Sequence, residues 1–474
     1  MKQLSGQDAM FLYWESEGAA MHTAMLSVYD PSTAPKGKVG FETVRAHVKR
    51  CLPISNVFRQ KLAPVAFNLD HPYWIRDQDF DLDRHLRRVT LDTPTWEAYC
   101  QLVADLHAQP LDRSRPLWEM IYIDGLDGVR DYPKGSFALM TKIHHAAIDG
   151  ATGAAITAGL HDLKADAPIK FITDRFVGEP TPSASGLLLR SVRNNLRTPA
   201  RIAGPLRRML PGLARSLKPA PDSSTAAQRR GPMTRFNGRV SAKRIYDARE
   251  YALKDLSTIR KAVPGATVND VILAIASGGI RNYLEAKNEL PEQSLIAMVP
   301  VNTRSEGGAT DGNQVSLMML PLCTDVVDPL DRLRAIAGNT ARAKETANAV
   351  GARELTELNQ AAPAATMALS FRLVTAANLL GKLRAFNTVV SNVPGPQVPI
   401  YLRGARMLSW SGLGPCSHGL GFGFPVLSYN GKVNFAFNGC GEAVPDVAFA
   451  GACLDRAFES LKNAALNACS ATSK

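Results

Sequence analysis

The sequence predicts a mixed α/β protein built from two domain-sized units joined by a basic crossover. Short apolar runs of strand length alternate with amphipathic runs of helical spacing, 45% of the 474 residues are hydrophobic, and one long acid-free stretch separates two regions of this mixed kind. That hydrophobic content is ample for large cores and excludes a disordered chain.

In the first region, helical spacing marks Ser5 to Trp14, Phe41 to Cys51 and Trp96 to His107. Strands are expected at Thr23 to Tyr29, Leu117 to Ile123 and Ser136 to Ile143. The alanine-rich run from Gly150 to Leu163, with Ile156, Leu160 and Leu163 three and four apart, reads as a further helix. In the second region Leu253, Leu256, Ile259 and Val263 mark one helix and Val268 to Leu284 another. Strands are expected at Leu295 to Val301, Val315 to Leu322, Thr388 to Val393 and Lys432 to Phe437. No repeat relates the two regions. The expected division is a first domain over 1–180, a crossover over 181–235 and a second domain over 236–474.

The crossover holds much of the charge. Between Ser183 and Pro221 there is no aspartate or glutamate, and Arg190, Arg193, Arg197, Arg201, Arg207, Arg208, Arg215 and Lys218 supply +8 of the chain's net +12. Leucines and other aliphatics alternate with these residues, and Pro199, Pro205 and Pro211 divide the stretch into short helical pieces. Basic residues beside an apolar face suit an anionic membrane surface, while a solvated linker is the plainer alternative. The segment has no aromatic residue to stack on bases, so nucleic acid is not an expected partner.

The chemistry is concentrated in His144-His145-Ala146-Ala147-Ile148-Asp149-Gly150, on a strand-to-helix turn. A histidine with an ordinary pKa near ~6.5 can take a proton from an alcohol attacking an ester or thioester and return it to the leaving group. The plainer reading is a buried histidine bonded to backbone. A metal site is not expected, because neighbouring strand residues point to opposite faces and no third ligand lies nearby. Ala146 and Ala147 leave room for a long chain beside the base or reflect helix packing. Gly150 gives the turn a small residue.

Further along, Thr267 and Asp270 have capping-box spacing, so Asp270 is expected to satisfy helix-start amides. The Asn269 amide can donate to an oxyanion at the helix's positive end or cap it locally. Ser391 and Asn392 follow an apolar strand and precede a proline-rich turn that either shapes a tunnel or simply connects elements. Arg304 can pair with Asp149 across the domain junction or lie exposed on a loop. In Pro116-Leu117-Trp118-Glu119, packing explains Leu117 and Trp118.

Seven cysteines without a C-x-x-C pair suit reduced thiols in the cytoplasm. Asp8, Glu15 and Glu17 interrupt the first apolar positions, so no secretory signal is expected. No apolar run reaches the ~18 residues of a spanning helix. The chain is therefore expected to be soluble or peripheral to a membrane or lipid droplet.

These motifs together resemble the bacterial wax ester synthase/diacylglycerol acyltransferase family. The histidine run, Pro116 to Glu119, Asn269-Asp270 and Ser391 to Pro396 match in order, and Leu4 to Leu12 with Met21-His22 matches the family's opening. The resemblance implies two chloramphenicol-acetyltransferase-like domains with the active site in a channel between them. It also implies an acyl-CoA:alcohol O-acyltransferase acting on fatty alcohol or diacylglycerol, with no cofactor beyond the acyl-CoA substrate. His145 matches the general base, His144 its support, and Asp149 an aspartate that orients the turn. By analogy with related acyltransferases, Ser391 is a candidate donor to the tetrahedral intermediate. Two rivals remain at this point: a condensation-type enzyme with another alcohol or an amine acceptor, and a non-enzymatic lipid-surface protein.

Overall fold

The histidine motif begins at the end of one of the two central strands of a six-stranded sheet. That strand, β7 (Phe137–His144), is buried along its whole length. It lies between β2 (His22–Asp30) and β6 (Trp118–Asp124), antiparallel to both. Its near-continuous apolar sequence is what a strand covered on both faces requires. Lys142 is the exception, and its Nζ donates to the Leu106 and Gln109 carbonyls at 2.9 and 2.7 Å. The buried ammonium thereby meets the carbonyl end of α3 (Trp96–Ala108), where a positive charge is favourable. The computed structural model describes residues 1–169, 171–196, 230–302, 315–349, 363–377 and 379–472.

Outward from β6 this first sheet ends in β5 (Leu86–Thr90). On the other side β2 pairs with β13 (Ala405–Leu413), followed by the short β12 (Tyr401–Leu402). These last two strands come from the far end of the sequence, so the expected division at 181–235 is crossed by a returning excursion. A three-stranded sheet of β1 (Lys2–Gln3), β4 (Tyr73–Arg76) and β3 (Gln60–Ala63) stands beside the first.

The second six-stranded sheet has the order β10 (Val315–Pro321), β9 (Ile296–Asn302), β11 (Thr388–Pro394), β14 (Phe422–Tyr429), β15 (Lys432–Cys440) and β8 (Arg244–Ala252). Helices Val268–Ala286 and Val447–Thr472 share its largest apolar core. Gly278 and Gly279 allow that pair to close: a Cβ at either position would lie 2.9 Å from Ala457 Cβ or 2.8 Å from Leu454 Cδ1. The halves are joined further at α3, where Trp96 Nε1 donates to Asp247 Oδ1 of β8 at 2.9 Å. The result is the mixed α/β, two-unit architecture that the sequence predicts.

Every expected strand and helix named above has a counterpart in the described residues, most shifted by one or two positions. The alanine-rich helix, α4 (Gly150–Leu160), stops short of Leu163. Of the basic crossover, residues 181–196 are described, with a helix over 184–196, and the described chain resumes at residue 230. Arg197, Arg201, Arg207, Arg208, Arg215 and Lys218 lie outside the described residues, as does Arg304.

Candidate active site

The opening helix α1 (Gly6–Trp14) builds one wall of the site. Ser5 caps it by accepting from Asp8 N at 3.0 Å, and its buried Ala9 and Leu12 pack with Leu117 and Ala146. Ala146 is thus sealed in the contact between α1 and the histidine turn. That contact favours the helix-packing account of its small size. Ala147 is half-buried and packs into the same cluster.

His144 and His145 straddle the end of β7 and face different surroundings. The His144 N–H donates to Leu117 O and the His145 N–H to Met21 O, both at 2.9 Å, so the residues that lead into β6 and β2 fix the backbone from either side. His145 then opens a single 3-10 turn, His145–Ala147.

The His144 ring is 1% exposed and is held at both nitrogens. Ala146 N donates to its Nδ1 at 3.1 Å, which leaves the proton on Nε2, and Nε2 donates to Glu15 Oε2 at 3.1 Å. Glu15 Oε2 also accepts from Met21 N at 2.9 Å, while Oε1 meets Arg113 Nη2 at 2.8 Å. Burial opposes the charged carboxylate, but the His144 hydrogen bond and Arg113 outweigh it and hold Glu15 down to about 2. Burial also lowers the pKa of His144, Glu15 only partly countering it, so the pair stands as carboxylate and neutral imidazole.

His145 stacks on Phe11 of α1, with ring centroids 4.2 Å apart and planes at 15°. Its Nδ1 is sealed and makes no hydrogen bond to another residue; Nε2 is not sealed in this way and the residue is half-buried, so Nε2 is the open nitrogen. Burial, then the adjacent His144, push its pKa down to about 4, its own backbone carbonyl pulling the other way. The ring is therefore a neutral base at neutral pH.

Asp149 is the N-cap of α4, its Oδ1 accepting from Thr152 N at 2.7 Å. That anchors the far side of the turn, with Gly150 as the first helical residue. Asp270 completes the expected capping box: Thr267 N donates to its Oδ2 at 2.8 Å and Asp270 N to Thr267 Oγ1 at 3.3 Å. Asn269, one residue earlier, accepts from Asn392 Nδ2 at 3.4 Å. The structure thus brings Asn269 together with Asn392, beside half-buried Ser391 on β11. Trp118 is a packing residue, 1% exposed, with Nε1 donating to Phe58 O.

Sequence reasoning missed Glu15, Phe11 and Arg113. Glu15 carried a signal, an acid between the end of an apolar helix and Met21-His22, but it was legible only as a charge interrupting an apolar run. The stacking of Phe11 on His145 depends on where α1 docks, which local spacing does not encode.

Comparison with known proteins identifies the family. Residues 4–272 match the wax ester synthase/diacylglycerol acyltransferase catalytic domain, and residues 311–462 match the C-terminal domain of the same family. A Mycobacterium tuberculosis protein named as a probable diacylglycerol O-acyltransferase is 32% identical over 479 residues, covering 98% of this chain and 99% of that one. The wax ester synthase/diacylglycerol acyltransferase of Marinobacter aquaeolei VT8 superposes with a TM-score of 0.68 at 25% identity, covering 98% of this chain and all of that one. The starter condensation domain of rhizomide synthetase shares the fold, with a TM-score of 0.54 at 13% identity over 98% of this chain and 95% of that one. With both family domains matched in order over the chain that carries the buried Glu15–His144 pair and the open His145, this protein belongs to the wax ester synthase/diacylglycerol acyltransferase family of acyltransferases.

Proposed function

We propose that this chain transfers a long-chain acyl group from coenzyme A to the hydroxyl of a fatty alcohol or a diacylglycerol, forming wax ester or triacylglycerol. The observation that carries the proposal is the state of His145: a neutral imidazole with Nδ1 sealed and Nε2 open, on a turn fixed from three sides. In this reading the acceptor oxygen attacks the thioester carbonyl as Nε2 takes its proton. The tetrahedral oxyanion collapses, the C–S bond breaks, and the CoA sulfur leaves with the proton from Nε2.

A base with so low a pKa suits this step if its charged form arises only beside an opposite charge. The imidazolium and the oxyanion form together, each offsetting the burial cost of the other. Asn269 is a proposed donor to the oxyanion, because Asn392 occupies its carbonyl oxygen and leaves Nδ2 to donate. His144 and Glu15 position the turn. Asp149 and Gly150 support it from the helix side.

The acceptor class rests on the family and on the Mycobacterium relative's name. Among the described residues no helix is long and apolar enough to cross a membrane. Acceptors of this class reside in bilayers, so the proposed location is peripheral, on an anionic membrane or a lipid droplet. CoA release from palmitoyl-CoA tests the reading. Release with hexadecanol or a diacylglycerol supports it; release only with an amine acceptor would transfer the chain to condensation chemistry, and no release with either would refute acyl transfer.

A further inference from the structure

Three surface elements that are distant in sequence meet on one side of α1. The crossover helix, residues 184–196, is tied down by Asn194 Nδ2 to Asp70 Oδ2 at 2.7 Å and by Asn195 Nδ2 to Leu69 O at 2.7 Å. The loop around Ala66–Asn68 lies between that helix and helix Ala364–Ala376 of the second half, which it touches. Helix Ala364–Ala376 packs in turn on α1, with Trp14 and Phe371 ring centroids 5.9 Å apart. Elements of the two halves thus adjoin at the surface.

That face is apolar where it should be polar. Phe67 is 89% exposed, Leu189 73%, Leu196 78%, Leu369 59% and Leu373 58%. The buried side of the crossover helix is already used, by Leu187 and Ser191 against the small sheet, so its exposed leucines are a second apolar face. Phe67 also sits at φ 56°, a left-handed conformation that is unfavourable for a bulky residue, and it holds an aromatic ring out from the surface. Exposed apolar residues gathered on adjoining elements in this way mark an interaction surface.

Its charge selects the partner. Residues 184–196 and 363–384 contain no aspartate or glutamate, and Arg190, Arg193, Arg372 and Lys382 are exposed among the leucines. The acid-free character expected for the crossover alone is therefore shared by a segment of the second half. We infer that this composite face, formed by the crossover helix, the Phe67 loop and helix Ala364–Ala376, docks on an anionic lipid bilayer. Basic side chains would meet the headgroups while Phe67 and the leucines enter the acyl boundary. Docking there places the bilayer against helix Ala364–Ala376, which packs on α1, the helix that carries Phe11 on His145 and ends at Glu15, the partner of His144. The inference rests on the proposed acyl transfer only for what the bilayer delivers, a hydroxyl acceptor dissolved in it.

Sedimentation with phosphatidylcholine vesicles, with and without phosphatidylglycerol, tests the inference without any substrate. The wild-type chain is expected to sediment with the anionic vesicles and to be released by salt. Removing one arginine, as in Arg193→Gln or Arg372→Gln, should weaken binding about fivefold. Leu189→Asp/Leu196→Asp and Phe67→Asp/Leu373→Asp should each abolish it while leaving the thermal midpoint unchanged, because the side chains are exposed. CoA release with dissolved butanol should persist in these variants while release with vesicle-borne diacylglycerol falls in step with binding. Failure of the wild type to sediment, equal binding to neutral vesicles, or variants that bind like wild type would overturn the docking face. So would a wild-type dimer that the same variants dissociate without vesicle binding, which would assign the face to a second copy. Absence of CoA release with both acceptors would count against acyl transfer alone, since sedimentation still decides the surface.

Discussion

Glu15→Ala removes the acceptor on which the whole histidine turn depends. Its carboxylate takes His144 Nε2–H at 3.1 Å, Met21 N–H at 2.9 Å and Arg113 at 2.8 Å. His144 and Met21 are 1% and 2% exposed, so neither donor finds water when the carboxylate is gone. Each unsatisfied buried donor costs ~1–3 kcal/mol, whereas Arg113, 41% exposed, rehydrates at little cost. The expected loss is about 3 kcal/mol of stability, read as a lower urea midpoint. Met21 also accepts the His145 N–H, so the base moves with it. A shift of ~1 Å in a reacting group can cost ~100-fold in rate, and a kcat loss of that order with little change in KM is expected. Glu15→Gln keeps one oxygen for His144 but loses the charge and should recover about tenfold of the loss, whereas a merely space-filling role would let Gln restore the wild-type rate in full. A Glu15→Ala protein with wild-type kcat and urea midpoint would refute the positioning role.

Further outcomes follow from the same geometry. Phe11→Leu removes a ring stacked on the base, worth ~0.5–1.5 kcal/mol, so kcat should fall a few-fold to about tenfold; an unchanged kcat would make Phe11 a packing residue only. His145 sits near 4, below its ordinary value, so the acid limb of kcat/KM should lie near pH 4 to 5, where a limb near 6.5 would show an unperturbed base. Burial also lowers His22 to about 3 and His161 to about 4. All three bind protons more readily when unfolded, so their stabilising effect is complete above about pH 6.5 and is lost as pH falls towards 4, measurable as a falling urea midpoint. Glu15, held near 2, loses its contribution only in the lower window from about pH 4.5 down. Thr267→Ala breaks the capping box and should lower stability by ~1 kcal/mol, with kcat unchanged if Asn269 keeps its place.

The strands that alternate cleanly or are wholly apolar were legible in the sequence, β2, β6 and β7 among them, as was the capping box of helix Val268–Ala286. The fully buried pattern of β7 makes its neighbours two-sided and its sequence unmistakable. Strand β8 was not legible, because Arg-Ile-Tyr-Asp-Ala-Arg-Glu-Tyr-Ala mixes charges that are paired at long range, as Arg249 is with Asp455. The β14–β15 hairpin carried a local signal that was passed over: Asn430-Gly431 turns at φ 46° and 77° with Tyr429 opposite Lys432, the left-handed pair that this turn demands. The return of β13 to the first sheet is a long-range pairing that no local pattern encodes. The site divides in the same way. His144, His145 and Asp149 are contiguous and announce themselves, while Glu15 and Phe11 reach them only through the docking of α1.

The central claim is that His145 is the base for transfer to a hydroxyl. The direct measurement is CoA release from palmitoyl-CoA with hexadecanol by His145→Ala, alongside a urea midpoint to show that the protein is folded. The account predicts a folded variant whose release falls to the rate seen without enzyme. A folded His145→Ala protein that turns over at the wild-type rate would contradict it.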